Sequence, residues 1–547
     1  MPGKRAFPFI RKPTGLWGTL GLQRTAPWLV VLLVMLGMGI TWVHLTKVNH
    51  DVAVSLSTAQ RCLEGERLYS DITDINPPLY IWMATPPVAL AKAWNLPAVA
   101  VYNAFTIAEV LGGLALCWLV MARTCLLPNK VMRRVFLLTA AYGFFAMVPD
   151  SRFRGFHDFG QRDFLMTVLF LPYLLLSTAR AMHRRVAWPL SLLLGLIGGV
   201  GLAFKPYFLL PFVVIEGYLT FGRKAGFFWR RPEVLAVAGL QALFAALWIT
   251  PDYLHMLRLA ANVYAAYDTS LEDMFSISLV VAPTAYAALV AMAVTRPTPE
   301  TRQLRRILAI ALVCWLITLF VQHKGFSYHH YAARVAGLLL LVVIALGAAR
   351  RAQVEGRLFR PGLVAASIVM LLLAGQFLVV RKAWQLAENP SWTIAGVMQP
   401  PIEQLAKDKS MMFLSSSVYP AFPLYNYTGA RWESHFNCLW LLPGFYHDAR
   451  PGPDGTVYHA RADMSEDEKW QLDTLVGDFE RTRPALVIVD ASRSKQGFGT
   501  TDFDFLKYLL RDARFQTFWN QGGYKIVGTV GGAYGFGPYA FWMRFNP

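Results

Sequence analysis

Residues 50–82 read HDVAVSLSTAQRCLEGERLYSDITDINPPLYIW and stand just past the first long apolar run of the chain. Asp51, Glu64, Glu66, Asp71 and Asp74 lie here between two strongly apolar regions, and the pair Pro77 and Pro78 stops one helical segment and starts another. Charge held at a membrane boundary is costly and tends to be functional, so an acidic loop in this position calls for a chemical reason.

The rest of the composition sets the class. Of 547 residues, 55% are hydrophobic and only 16% charged, which with repeated long apolar runs predicts a polytopic α-helical membrane protein. A net charge of +18 would suit nucleic acid, but the basic residues fall in short clusters between apolar runs, as membrane topology requires. No nucleic-acid partner is expected. The five cysteines show no metal-ligand spacing.

Lys4, Arg5, Arg11, Lys12 and Arg24 precede the apolar run 28–46, which reads as a retained signal anchor with a cytoplasmic N-terminus. Further spans are predicted at 98–121, 135–148, 164–177, 188–204, 207–221, 234–250, 277–294, 307–320, 331–348 and 363–380, about eleven in all. The segment 79–94, interrupted by Pro86 and Pro87, reads as a helix lying in the outer interface. With that assignment Arg133 and Arg134, Arg184 and Arg185, Arg230 and Arg231, Arg305 and Arg306, and Arg350 and Arg351 all fall in alternate, cytoplasmic loops. The opposite loops, 47–97, 149–163, Lys205 with Pro206, 251–275 and 323–330, carry the unusual polar clusters. Residues 1–380 thus form a transmembrane domain, and 381–547, with short β-type runs between helical segments, an extracytoplasmic α/β domain. Asp490, after the run ALVIV, reads as a turn residue or a site residue at a strand end.

Asp51, Gly65, Tyr69, Asp71, Pro77, Pro78, Leu79 and Trp82, in that order after the first span, make the chain resemble the GT-C membrane glycosyltransferases. It looks most like the branch holding the protein O-mannosyltransferases and the lipid A aminoarabinose transferase. Val52, and Ile75 with Asn76 ahead of the prolines, depart from the branch's pattern and leave the acceptor open as a glycan, a lipid or a protein. The resemblance implies a GT-C fold in the bacterial inner membrane. It also implies inverting transfer of a sugar from a polyprenyl-phosphate donor to an acceptor on the outer face, in the service of cell-envelope glycan biosynthesis, with a loop-one aspartate as base.

The residues themselves reach a compatible chemistry. An attacking hydroxyl must lose its proton, and Asp51 is the first choice to take it; the alternative is that Asp51 caps the helix after it. Asp71 and Asp74 flank a turn, beside Tyr69, and read as substrate contacts or turn residues. The string HDFGQRDF brings His157, Asp158, Gln161, Arg162 and Asp163 to a membrane boundary. The resemblance implies a second acidic loop near the first, which places Asp158 beside Asp51 in the catalytic site as a helper that positions the acceptor or its base; the residues alone offer an ion pair from Arg162 to Asp158 at i, i+4. Arg152, Arg154, Arg162, Lys205 and Lys324 are the cations that could meet a phosphate, with snorkelling the alternative for Lys205. Tyr328, His329 and His330 lie level with Lys324 and are assigned to sugar or phosphate. Adjacent histidines on a helix diverge, so no metal site is assigned there; whether a divalent cation takes part is left open. A lipid or polysaccharide flippase and a non-catalytic envelope-assembly scaffold are the competing functions.

Overall fold

Apolar runs with no water to satisfy their backbone form helices. The computed structural model describes residues 22–127, 129–147, 155–356, 360–452, 455–532 and 536–546; Lys4, Arg5, Arg11, Lys12, Arg152 and Arg154 lie outside them. Helix α1 (Leu22–Leu45) is followed by α2 (His50–Leu63), α3 (Leu79–Trp94), α4 (Ala98–Thr124), α5 (Lys130–Ala146) and α6 (Arg162–Ala181). Then come α7 (Trp188–Leu202), α8 (Leu209–Gly217), α9 (Pro232–Trp248), α10 (Pro251–Val263), α11 (Leu271–Val281) and α12 (Pro283–Val294). Helices α13 (Arg302–Val321), α14 (Tyr331–Val354) and α15 (Pro361–Glu388) complete the bundle.

Helix covers most of each predicted span. Among the described residues six helices, α1, α4, α6, α13, α14 and α15, are long and apolar enough to cross a membrane by length and composition, or up to eight spans if the bent pairs α9 with α10 and α11 with α12 each count as one. The bends, 92° and 84°, fall where Pro251 and Pro283 open a new helix. Helix α7 and the stretch Pro206–Gly222 are shorter apolar helices. Helix α3 stays helical through Pro86 and Pro87, and at 16 residues it is not among the candidate spans.

Helix α6 is buried along nearly its whole length, because α4, α7, α13 and α14 all pack on it. Helices α1 and α15, at the periphery, present Leu29, Leu33, Leu371 and Phe377 outward, a surface suited to lipid. The basic clusters lie at the ends of α5, α6, α9, α13 and α14 remote from the loops described below.

Two strands of two residues each, β1 (Lys47–Val48) and β2 (Phe156–His157), pair in parallel and stitch the first interhelical loop to the second. After α15 comes α16 (Ile394–Ala406), then β3 (Met411–Leu414), β4 (Leu486–Asp490), β5 (Lys525–Val530) and β6 (Tyr539–Met543) in a four-stranded sheet of order β3-β4-β6-β5. Strands β3 and β4 are parallel, and the β5–β6 hairpin adds antiparallel. This unit shares a core with the loop after α1: Val52, Leu56, Ile81 and Ala84 pack with Ile394, Met398, Phe413, Tyr425, Ile488 and Phe541. Asp490 closes a turn, accepting from the Ser492 amide at 3.0 Å and its hydroxyl at 2.6 Å.

Helices α12 and α14 approach through Gly337, where an added Cβ would stand 2.6 Å from the Ala285 backbone nitrogen. Gly337→Val should therefore lower the thermal midpoint of the solubilised protein, at a cost of about 1–3 kcal/mol for overpacking; an unchanged melting curve would show that the helices part without penalty.

Candidate functional site

The site begins with a helix cap. Asn49 precedes α2, and its Oδ1 accepts the Asp51 amide at 2.7 Å, so the cap is Asn49 and the Asp51 carboxylate is left for other partners. Asn49 is itself held from behind, donating to Asp158 Oδ1 at 2.6 Å. The β1–β2 ladder, extended by the Asn49 amide donating to the His157 carbonyl at 2.9 Å, makes that contact.

The turn after β2 then aims the next residues. Gly160 sits at φ +80°, where an added Cβ would meet the Tyr102 ring at 2.6 Å, and its carbonyl accepts from the Tyr102 and Tyr80 hydroxyls at 2.6 and 2.9 Å. Gln161 caps α6 through the Asp163 amide at 2.6 Å and donates to Asp51 Oδ2 at 3.2 Å. Arg162 pairs with Asp51 Oδ2 at 2.8 Å, over 100 residues away, and does not make the i, i+4 pair with Asp158. Asp163, next along, meets Lys205 at 3.4 Å, and Lys205 Nζ stands 3.4 Å from His329 Nε2.

Asp51, Asp74, Arg162, Lys205, Lys324, Tyr328 and His329 line one cavity of about 490 Å³. A smaller pocket of about 40 Å³ adjoins it, bounded by Asp51, Ser55, Asp74, Tyr80 and Arg162. Asp74 Oδ1 accepts the Asn76 amide at 2.8 Å and its side chain at 2.7 Å, so it shapes the turn before Pro77 while facing the cavity. Lys324 pairs with Asp268 and donates to the Tyr264 carbonyl at 2.8 Å.

The other predicted contacts lie off the cavity. Asp158 is buried behind Asn49, so it supports the helix cap and does not stand beside Asp51 at the surface of the site. Asp71 pairs with Arg67 at 3.2 Å on the exterior, and the Tyr69 hydroxyl donates to the Asn76 carbonyl at 2.7 Å. His157 is fully buried against Trp42, and burial pushes its pKa down to about 3. Gln161 and Asp163 are buried behind the residues they orient, and the His330 ring turns back toward the Phe326 carbonyl at 3.2 Å. Arg152 and Arg154 lie outside the described residues.

Sequence reasoning missed Asn49, Asp268 and the aromatic wall of Tyr207, Trp248, Tyr253, Tyr264 and Tyr267. A cap-forming residue one turn ahead of an amphipathic run was a usable signal for Asn49. The wall has no such local signature.

Burial disfavours charge on Asp51, yet Arg162, with His50 and Lys205 in support, outweighs it and holds the carboxyl below the usual carboxylate range. Burial raises Asp74, which the Asn76 hydrogen bonds only partly counter. Burial also lowers Lys205, with Asp163 pulling it back up. Among the described residues no group of three or more His, Cys, Asp or Glu is arranged to hold a metal ion, and the Asp51 carboxylate is already shared by Arg162 and Gln161. These residues do not fit a resident divalent cation.

No protein-family model matches the chain, and no curated protein matches it. Among solved structures, ArnT from Cupriavidus metallidurans bound to undecaprenyl phosphate aligns over 95% of this chain and 98% of its own, at 12% identity and a TM-score of 0.52. The chain has the GT-C fold. Apo ArnT from the same organism aligns over the same shares at 11% identity and a TM-score of 0.49. The apo oligosaccharyltransferase of Archaeoglobus fulgidus aligns over 86% of this chain and 70% of its own, at 12% identity and 0.42. On this GT-C fold the cavity lies where the ends of α6, α9, α13 and α14 meet the loop after α1.

Replacing Arg162 by Met strands a buried carboxylate and should cost about 3–5 kcal/mol at neutral pH. The wild-type contribution of Asp51 is present above its unfolded pKa of about 3.9 and is lost as pH falls through its depressed folded value. In the variant burial is opposed only by His50 and Lys205, so the folded pKa rises and protonation restores stability. The gap between the two thermal midpoints should be widest at neutral pH and narrow toward about pH 4; a gap independent of pH would mean that the pair does not govern Asp51.

Proposed function

We propose that the chain is a membrane glycosyltransferase that moves a sugar from a polyprenyl-phosphate carrier to an acceptor hydroxyl in this cavity, on the outer face of the bacterial inner membrane. The observation that carries the reading is one cavity holding a buried carboxylate, Asp51, and three cations, Arg162, Lys205 and Lys324, against aromatic rings. The undecaprenyl phosphate held by ArnT supports the choice of carrier. The basic clusters at the far ends of the helices support an extracytoplasmic cavity, with the N-terminus cytoplasmic and the C-terminal α/β unit periplasmic.

The acceptor oxygen forms a bond to the anomeric carbon from the face opposite the phosphate, and the carbon–oxygen bond to phosphate breaks with its electron pair going to the leaving group. Configuration inverts. Asp51, anionic across the working pH range, takes the hydroxyl proton. Arg162, Lys205 and Lys324 offer charge-assisted hydrogen bonds to the polyprenyl phosphate as its charge grows. A phosphate beside Arg162 competes for the guanidinium. Loosening that pair raises the proton affinity of Asp51 as the hydroxyl attacks, so a carboxylate too acidic to be a good base at rest becomes a better one when the donor is bound. Lys205, buried between Asp163 and His329, gains a second anion to hold its charge.

Asp51→Asn should lower transfer from a polyprenyl-phosphate sugar by at least about a hundredfold, with the protein still monodisperse in detergent. Lys205→Met should mainly raise the KM for the donor. Product formation by Asp51→Asn at the wild-type rate in proteoliposomes would sink the assignment.

A further inference from the structure

Charge is divided unevenly around the cavity. Among the described residues that line it, every formally charged side chain, Asp51, Asp74, Arg162, Lys205 and Lys324, comes from the N-terminal three-fifths of the chain. The C-terminal unit contributes only neutral groups: the hydroxyls of Ser416 and Ser417, the amides of Asn437 and Gln496, and rings such as Tyr419 and Trp440. A wall of this kind has nothing to balance an anion or an ammonium, either of which would lose hydration there without a counter-charge. Hydroxyls and amides, which both donate and accept, match a surface that does the same, and aromatic faces receive its C–H groups.

Asn437 links this wall to the chemistry. It lines both the main cavity and the small pocket that reaches Asp51, and its Oδ1 is buried with no hydrogen-bond partner among the described residues. A buried carbonyl oxygen left unsatisfied costs free energy, and the group that satisfies it must be a donor standing close to Asp51. A hydroxyl on its way to that carboxylate is such a donor. Peptide recognition by strand addition is not offered here, since the lining residues of the C-terminal unit all lie outside β3, β4, β5 and β6.

Resting on the transferase reading above, we infer that the acceptor is an uncharged carbohydrate, seated on the neutral C-terminal wall with Asn437 and Gln496 as its polar contacts. Lipid phosphates, uronates and peptides are the acceptors this wall disfavours.

The test is calorimetric titration of the full chain in lipid nanodiscs with three probes: neutral gluco-, manno- and galacto-pentasaccharides, a galacturonate pentasaccharide, and a Ser/Thr-rich peptide. A neutral series should bind, with the uronate and the peptide weaker by about tenfold or more. Asn437→Ala and, as a second variant should the first fail to fold, Gln496→Ala should each weaken neutral binding about fivefold, the effect of one hydrogen bond. Equal or tighter binding of the uronate or the peptide overturns the inference, as does neutral binding that neither variant alters, or no neutral binding at all. Undecaprenyl phosphate, titrated in parallel, separates the two readings. If it binds and no neutral sugar does, the acceptor assignment fails alone; if neutral sugars bind and it does not, the transferase reading fails and a glycan-binding wall remains.

Discussion

A buried ion pair between Asp51 and Arg162 organises the end of the bundle where the cavity lies. Arg162 is buried and Asp51 largely so, and a charge in such a place is tolerated only if its counter-charge is fixed in position. Much of the surrounding architecture meets that demand. Asn49 starts α2 so that Asp51 projects from its first turn, Gly160 and Gln161 start α6 so that Arg162 projects from its first position, and the β1–β2 ladder holds the two helix starts together.

Several of these features were legible in the chain. Charges at apolar boundaries are scarce, so Asp51, Arg162, Lys205 and Lys324 stood out, and all four line the cavity. The helical bundle was legible from its apolar runs, and strands β3 and β4 fall on runs read as β-type. The bends were less so: the segment after Pro251 reads as an outer loop and 277–294 as one straight span, whereas each proline opens a new helix there. The resemblance put Asp158 beside Asp51 as a helper and local spacing offered Arg162 as its partner; a tertiary ladder sets it behind Asn49 instead. Asp268 and the tyrosines of the α10 region carry no local signal, since their role arises only when a distant loop closes over Lys324.

The C-terminal α/β unit is more than an appendage. Its core is continuous with α2 and α3, and it supplies one wall of the cavity. The Thr73 amide and hydroxyl both donate to the His435 carbonyl at 2.8 Å, and the His435 ring meets Asp478 at 2.7 Å, tying the loop that carries Asp74 to this unit. The walls of the cavity are thus assembled from the two halves of the chain and held in register by contacts away from the charged centre.

The two-residue ladder between β1 and β2 has an evolutionary consequence. A parallel pair this short tolerates no slip: moving either strand by one residue would turn the side chains at Lys47 and Val48 to opposite faces and carry Asn49 away from Asp158. Insertions can accumulate more readily in the basic loops at the far ends of the helices, where among the described residues no strand ladder fixes a register. The segments 47–51 and 156–163 can drift only as a pair, so homologues of this protein should carry compensating changes there while the intervening helices diverge freely.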